Sequence, residues 1–239
     1  MDAPAEGLQV SISCIIPAYN EADRIKHVLR AVLSHPDITE VIVIDDGSTD
    51  GTSEIAEQTA KGHPAFRLVR QPQNGGKSRA VAAGVAIAQG SHLLFLDSDL
   101  VGLSETELSA LIAPVREGQS DVALSLRRNA PRLWHWIGLD YISGERIMPR
   151  ALLVDHIDRI ANLRSFGLEV FLNRLWIAKG LSVAVVRWPN VTSPFKAQKY
   201  GPFAGIRADL RMFSDMFRTV SPTSAVGQIV ALRGQRVSQ

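Results

Sequence analysis

Short apolar runs that end abruptly in polar clusters recur through the first half of this chain. Val10 to Ile16 stops at Pro17, Val41 to Ile44 runs into Asp45 to Thr52, Phe66 to Arg70 leads to Gln73 to Lys77, and Leu93 to Leu96 breaks off at Asp97-Ser98-Asp99. Continuous apolar runs with little alternation mark strands buried on both faces. Helical spacing fills the gaps. Ile25, Val28, Leu29, Val32 and Leu33 share one face behind Asn20, the predicted cap, and a second helix follows Thr52 through about Lys61. The alanine-rich stretch Ser78 to Gln89 reads as a third helix, stopped by Gly90. This alternation predicts an α/β fold with a mostly parallel sheet and helices on both faces.

Further along, Ser104-Glu105-Thr106-Glu107 is a capping-box pattern opening a helix that ends near Val115, and Asp121 to Leu126 reads as another strand. The alternation then falters. Residues 127–147 mix Arg127, Arg128 and Arg132 with Trp134, His135, Trp136 and Tyr141, which suits an acceptor loop or lid and, equally, an amphipathic surface helix. Gly167 to Lys179 looks helical up to Gly180, and Leu181 to Trp188 is a strand broken by Pro189-Asn190. Phe203, Ile206, Leu210, Phe213, Phe217 and Val220 form a stripe at steps of three and four, with Arg207, Arg211 and Arg218 outside it. The amphipathic helix so predicted over 203–220 docks on its own domain, on a membrane surface or on a second copy in a homodimer. Beyond Pro222 a mobile tail is expected. The chain reads as a single domain over 1–239, with a nucleotide half over 1–126, an acceptor half over 127–200 and a C-terminal helix and tail over 201–239.

Composition narrows the setting. With 46% hydrophobic and 21% charged residues the chain buries a large core. No basic cluster followed by an apolar core opens it, and no apolar run approaches the roughly 20 residues that span a bilayer, so no membrane span is expected. The one cysteine, Cys14, lies inside the first apolar run, which fits a core thiol and a reducing cytoplasm. A formal charge of +2 gives no argument for nucleic acid. The basic residues become dense after Arg127, which points to an anionic second substrate.

Ligands of open α/β sheets bind outside the carboxyl ends of the strands, where four polar loops of this chain gather. Asp97 and Asp99 lie two apart on an extended backbone and face one point, where a divalent cation would relieve their repulsion. Alone, such a pair is explained as well by helix capping. Convergence of the loops Pro17 to Glu21, Asp45 to Asp50, Asn74 to Lys77 and Asp97 to Asp99 on one edge favours a site for a metal and a phosphate-bearing substrate. Lys77 follows two glycines that let the backbone approach an anion, which suits a diphosphate.

The motifs Ile15-Ile16-Pro17-Ala18-Tyr19-Asn20-Glu21, Val43-Ile44-Asp45-Asp46-Gly47-Ser48-Thr49-Asp50-Gly51-Thr52, Asn74-Gly75-Gly76-Lys77 and Asp97-Ser98-Asp99 together resemble those of a family-two glycosyltransferase with the Rossmann-like GT-A fold. In the second half, Ser143-Gly144-Glu145-Arg146, Phe166-Gly167-Leu168-Glu169 and Lys196 to Gly201 resemble the glucosyl-3-phosphoglycerate synthase branch. The resemblance implies a transferase, retaining at the anomeric carbon, that moves a hexose from a nucleotide diphosphate sugar, a UDP-sugar favoured, with Mg2+ or Mn2+. It gives Pro17, Tyr19 and Glu21 to the nucleotide pocket, Asp46 to the base, Asp99 to the metal, Asp97 to ribose or metal, and Glu169 to positioning the donor sugar.

The acceptor implied is a small phosphorylated acid held near Ser143 and Gly144. Arg146 and Arg150, flanking Pro149, suit it because guanidinium forks match phosphate and carboxylate geometry. Transfer to a polyprenyl phosphate at the membrane surface is the alternative enzyme, and a non-catalytic sugar-nucleotide-binding domain the alternative without chemistry. The retaining branch supplies a metal-binding histidine after the last strand, and Val191-Thr192-Ser193-Pro194-Phe195 contains none.

Overall fold

A computed structural model describes residues 10–193 and 213–237. Its frame is one seven-stranded sheet in the order β3-β2-β1-β4-β6-β5-β7. The strands are β1 (Ile12–Ala18), β2 (Ile38–Asp45), β3 (Phe66–Arg70), β4 (His92–Phe95), β5 (Val122–Arg127), β6 (Arg146–Pro149) and β7 (Val183–Trp188). β6 is antiparallel to both its neighbours, and every other pairing is parallel. The α/β expectation holds.

The helices follow the predicted alternation through α1 (Ile25–Leu33), α2 (Thr52–Thr59), α3 (Lys77–Ile87) and α4 (Glu105–Arg116). Thereafter come α5 (Arg132–Ile137), α6 (Ile157–Ala161), α7 (Gly167–Ala178), α8 (213–219) and α9 (Pro222–Gly234). Because side chains alternate across a strand, two apolar layers form. Ile15, Ile42, Phe95, Leu124 and Val185 pack with α3, α5, α7 and α9 on one face, while Cys14, Ile16, Val43, Leu94 and Val186 pack with α1 and α4 on the other. Burial raises the Cys14 thiol far above its ordinary range, so it is an inert core group.

Several local expectations are corrected. Asn20 does not cap α1, which begins at Ile25 behind Arg24 without a side-chain cap. Asn20 instead sits at φ 55° and accepts from Thr49 N at 2.9 Å, joining two loops. The 127–147 stretch is neither lid nor surface helix throughout: Trp134 and Tyr141 are core residues, and the stretch runs into β6. The residues after Pro222 form a helix, not a mobile tail. Ser221 caps it, Pro222 occupies its first turn, and Ala225, Gln228 and Leu232 are buried. Of the helix expected over 203–220, residues 213–219 are helical and 203–212 lie outside the described residues.

Candidate active site

Strand order reverses between β1 and β4, and the polar loops gather at this switch point. The first two are laced together. Asn20 N donates to Ser48 Oγ at 2.9 Å, Glu21 N to Thr52 Oγ1 at 2.8 Å, and Asp46 N to Ala18 O at 2.8 Å. Asp45 fixes its own turn by accepting from Ser48 N at 2.8 Å and from Ser53 Oγ. Gly47, at φ 74°, lies so close to Gln73 and Asn74 that a Cβ would meet their backbone at 2.7 Å. Only glycine fits there.

Asp46 is buried, and its two oxygens accept from Gly75 N at 2.9 Å and Gly76 N at 2.7 Å. Those amides, read from the sequence as open to an anion, are therefore committed to Asp46. Tyr19 is exposed at the rim, Glu21 pairs with Arg24, and Pro17 lines a crevice with Lys77, Gly144 and Glu169.

Lys77 is the hub of the site. As first residue of α3 it reaches Asp97 Oδ1 at 2.7 Å and Glu169 Oε1 at 3.3 Å. Burial opposes its charge, but Asp97 and Glu169 outweigh that and hold the ammonium well above its usual range. Asp97 carries a burial penalty that Lys77 and Arg127 overcome, so it stays ionised below the ordinary carboxylate range. Glu169, on the first turn of α7, is buried against Lys77 and is no exposed surface charge. A Cβ on Gly144 would come within 2.8 Å of Asp97 Oδ1 and Lys77 Nζ, so this glycine admits the pair.

Asp99 differs from Asp97. Burial first, then the charges of Asp97 and Glu21, raise its carboxyl. The Ser193 hydroxyl contacts both of its oxygens, at 3.1 and 3.0 Å, carried there by a bridge pairing Val101 with Thr192. Ser193 thus stands in the segment where the sequence lacks a histidine. An oxygen-only group with excess negative charge fits a hard divalent cation such as Mg2+ or Mn2+. Among the described residues no three His, Cys, Asp or Glu side chains are placed to hold one metal ion together, so Asp99, with Asp97 beside it, would hold the ion, and substrate phosphates and water would complete its shell.

A cavity of about 230 Å3 opens beside this cluster, lined by Arg127, Asp140, Gly144, Phe166, Glu169 and Ser193 among others. Arg127, Asp140, Glu145 and Ser193 were not picked out from the sequence as site residues. Arg127 ends β5 at the carboxyl edge, a position that the rule applied to the other strands would have flagged. Its Nη1 lies 3.4 Å from Glu145 Oε1 and 4.0 Å from Asp97 Oδ2, yet its Nε and Nη1 have no hydrogen-bond partner among the described residues. Both atoms are shielded from solvent, and the guanidinium stands in the cavity wall beside those two carboxylates.

Three expected acceptor contacts are corrected. Arg146 is wholly buried: Nε donates to Ser143 O at 2.7 Å, Nη1 to Asn173 Oδ1 at 2.6 Å and Nη2 to Tyr141 O at 3.0 Å, and the guanidinium stacks over Trp176. It braces the core. Ser143 is likewise buried, against Ser125 and Glu145. Arg150 follows β6, whose Pro149 pairs with His92 and whose Arg146 pairs with Phe95, so it stands at the amino edge of the sheet, away from the site. Its backbone N donates to Ser91 O at 2.8 Å there.

Asp140 is buried and raised to about 6, mainly by burial, against the pull of Arg127. A carboxyl raised on folding stabilises the chain below its unfolded pKa and loses that contribution as pH rises through about 6. Asp140→Asn is accordingly expected to be more stable than the parent at neutral pH, by up to about 3 kcal/mol, and nearly equal to it at about pH 4. Urea unfolding at the two pH values checks this.

Residues 13–171 match the family model described as glycosyl transferase family 2. Dolichyl-phosphate beta-glucosyltransferase ALG5C of Trichomonas vaginalis is 40% identical over 100 residues, covering 38% of this chain and 30% of its own length. Glycosyltransferase GlyG of Streptococcus pneumoniae is 29% identical over 117 residues, covering 47% and 38%. The chain thus spans well under half the length of these curated relatives. A solved structure of glucosyl-3-phosphoglycerate synthase from Mycobacterium tuberculosis, with Mn2+, UDP and phosphoglyceric acid, superposes with a TM-score of 0.67 at 22% identity, covering 89% of this chain and 79% of that one. At that identity the likeness is one of fold.

Proposed function

Because the chain belongs to glycosyl transferase family 2, we propose that it transfers a hexosyl group from a nucleotide diphosphate sugar, a UDP-sugar favoured, to a phosphate-bearing acceptor. The observation that carries this is the Asp99, Asp97, Lys77 and Glu169 constellation at the switch point, opening on a cavity that Arg127 lines. A fold neighbour was crystallised with Mn2+, UDP and a phosphorylated acid.

The residues divide the work. Pro17, Tyr19 and Glu21 flank the nucleotide, and Asp46 shapes its pocket by pinning Gly75 and Gly76. Bound at Asp99 and Asp97, a divalent cation supplies Lewis-acid stabilisation for the charge that develops on the departing diphosphate. Lys77 keeps Asp97 ionised and aligned. Glu169, an acceptor-only group fixed by Lys77, orients sugar hydroxyls. Arg127, a guanidinium in the cavity wall with two donors that make no hydrogen bond among the described residues, receives the acceptor's phosphate. Retention, implied by the Phe-Gly-Leu-Glu resemblance, is read from the anomeric configuration of the product.

Two acceptor classes share this chemistry. A small phosphorylated acid is the lead, supported by the fold neighbour, and a polyprenyl phosphate is the second, supported by the name of the curated relative. Release of nucleoside diphosphate from UDP-, GDP- and ADP-sugars, with Mn2+ and with either 3-phosphoglycerate or a polyprenyl phosphate, tests the reading. Stimulation by one acceptor fixes its class, whereas no turnover of any donor returns the chain to a binding domain. In the same assay Asp46→Ala is expected to weaken nucleotide affinity about tenfold, because two backbone donors lose their carboxylate. Unchanged affinity in a titration of that variant would remove Asp46 from the pocket.

A further inference from the structure

Three of the four tryptophans, Trp134, Trp176 and Trp188, are fully buried, but Trp136 is 83% exposed. It stands on α5 next to the exposed Leu133, and the loop into that helix, through Ala130 and Pro131, lines the acceptor cavity. A second apolar strip lies on α9, where Val226 and Val230 are 60% and 65% exposed and, with Arg233, follow one another at helical spacing. Arg236 joins the two. Its Nη1 comes within 2.8 Å of where a Cβ on Gly138, the residue that ends α5, would stand, and its backbone bridges to Val183 at the edge of β7. Burial first, then the charges of Arg233 and Arg187, lower the Arg236 guanidinium, so Arg233 and Arg187 each stand near Arg236. Arg132, Arg187, Arg233 and Arg236 are all exposed and have no ion-pair partner among the described residues.

We infer that this surface, Trp136 and the Val226 and Val230 strip ringed by Arg132, Arg187, Arg233 and Arg236, docks on an anionic lipid membrane beside the mouth of the acceptor cavity. Tryptophan and apolar side chains settle at the headgroup boundary, and arginines next to them meet the negative lipid charge. A second copy of the chain fits poorly, because a two-fold interface would set the same unpaired arginines against one another. The surface lies on α5 and α9, outside the 203–220 stretch that the sequence offered for membrane contact.

Vesicle binding tests this without any sugar transfer, so its outcome is separate from that of the transferase reading. The intact chain is expected to sediment with phosphatidylcholine vesicles that contain phosphatidylglycerol, to stay free with phosphatidylcholine alone, and to be released by salt. Because Trp136 is the exposed indole, its emission shifts to the blue and becomes protected from aqueous quencher on binding. The Arg187→Gln, Arg233→Gln, Arg236→Gln triple variant is expected to bind about a hundredfold more weakly, and Trp136→Phe to lose the spectral shift. No sedimentation and no shift in the native chain overturns the inference, and this arm needs no variant to fold. Undiminished binding by the triple variant, concentration-dependent dimers that protect Trp136 without vesicles, or preference for an oligonucleotide over the anionic vesicle overturns it as well.

Discussion

Replacing Asp99 by Asn is expected to lower turnover of the nucleotide sugar by about a thousandfold, a few kcal/mol of transition-state stabilisation at about 1.4 kcal/mol per factor of ten. The side chain keeps its size and can still accept from Ser193, so the loop after β4 keeps its path. What goes is the negative charge. Since burial, Asp97 and Glu21 raise the Asp99 carboxyl, its ionised form opposes folding near neutral pH. The variant's melting temperature should therefore equal or exceed the parent's, which separates loss of the cation site from loss of the fold. Full metal-dependent turnover in Asp99→Asn would remove this residue from the site.

The largest stability effect is expected at Arg146. Arg146→Met should cost about 3–5 kcal/mol, the usual range when one partner of a buried charged network is removed. Asn173 Oδ1, Ser143 O and Tyr141 O would lose donors in a dry core, and Trp176 would lose the plane it stacks against. Arg146→Lys should recover little, because one ammonium cannot reproduce three bonds made from a flat fork. Chemical denaturation reads the effect directly. An acceptor-binding arginine would behave otherwise, with normal stability and a raised KM for the acceptor.

The parallel part of the fold was legible because strands covered on both faces must be apolar throughout, and the chain changes character where each reaches the sheet edge. That abruptness at Pro17, Asp45, Gln73 and Asp97 marked the loops that meet at the switch point as well as the strands. β6 was hidden by its own composition. Four residues containing an arginine and a proline carry no strand pattern, and Arg146 is buried only because Asn173 and Trp176 arrive from α7. The aromatics of 127–147 resembled a lid for the same reason: what covers Trp134 and Tyr141 is remote in sequence, namely Phe213 and Gln228. α9 escaped because small residues and two exposed valines blur its apolar face. At the site, Asp99, Lys77 and Glu169 stood out in motifs, whereas Asp140 and Glu145 acquire meaning only from the Arg127 they face. Ser193 emerges through the Val101 and Thr192 bridge, a pairing that no local pattern encodes.

The measurement that bears most directly on the central claim is calorimetric titration of the chain with UDP, with Mn2+ and after chelation. Saturable binding that needs the cation, and that Asp99→Asn loses while keeping its melting temperature, is the predicted result. Binding of equal strength with and without the cation, in both the parent and the variant, would contradict it.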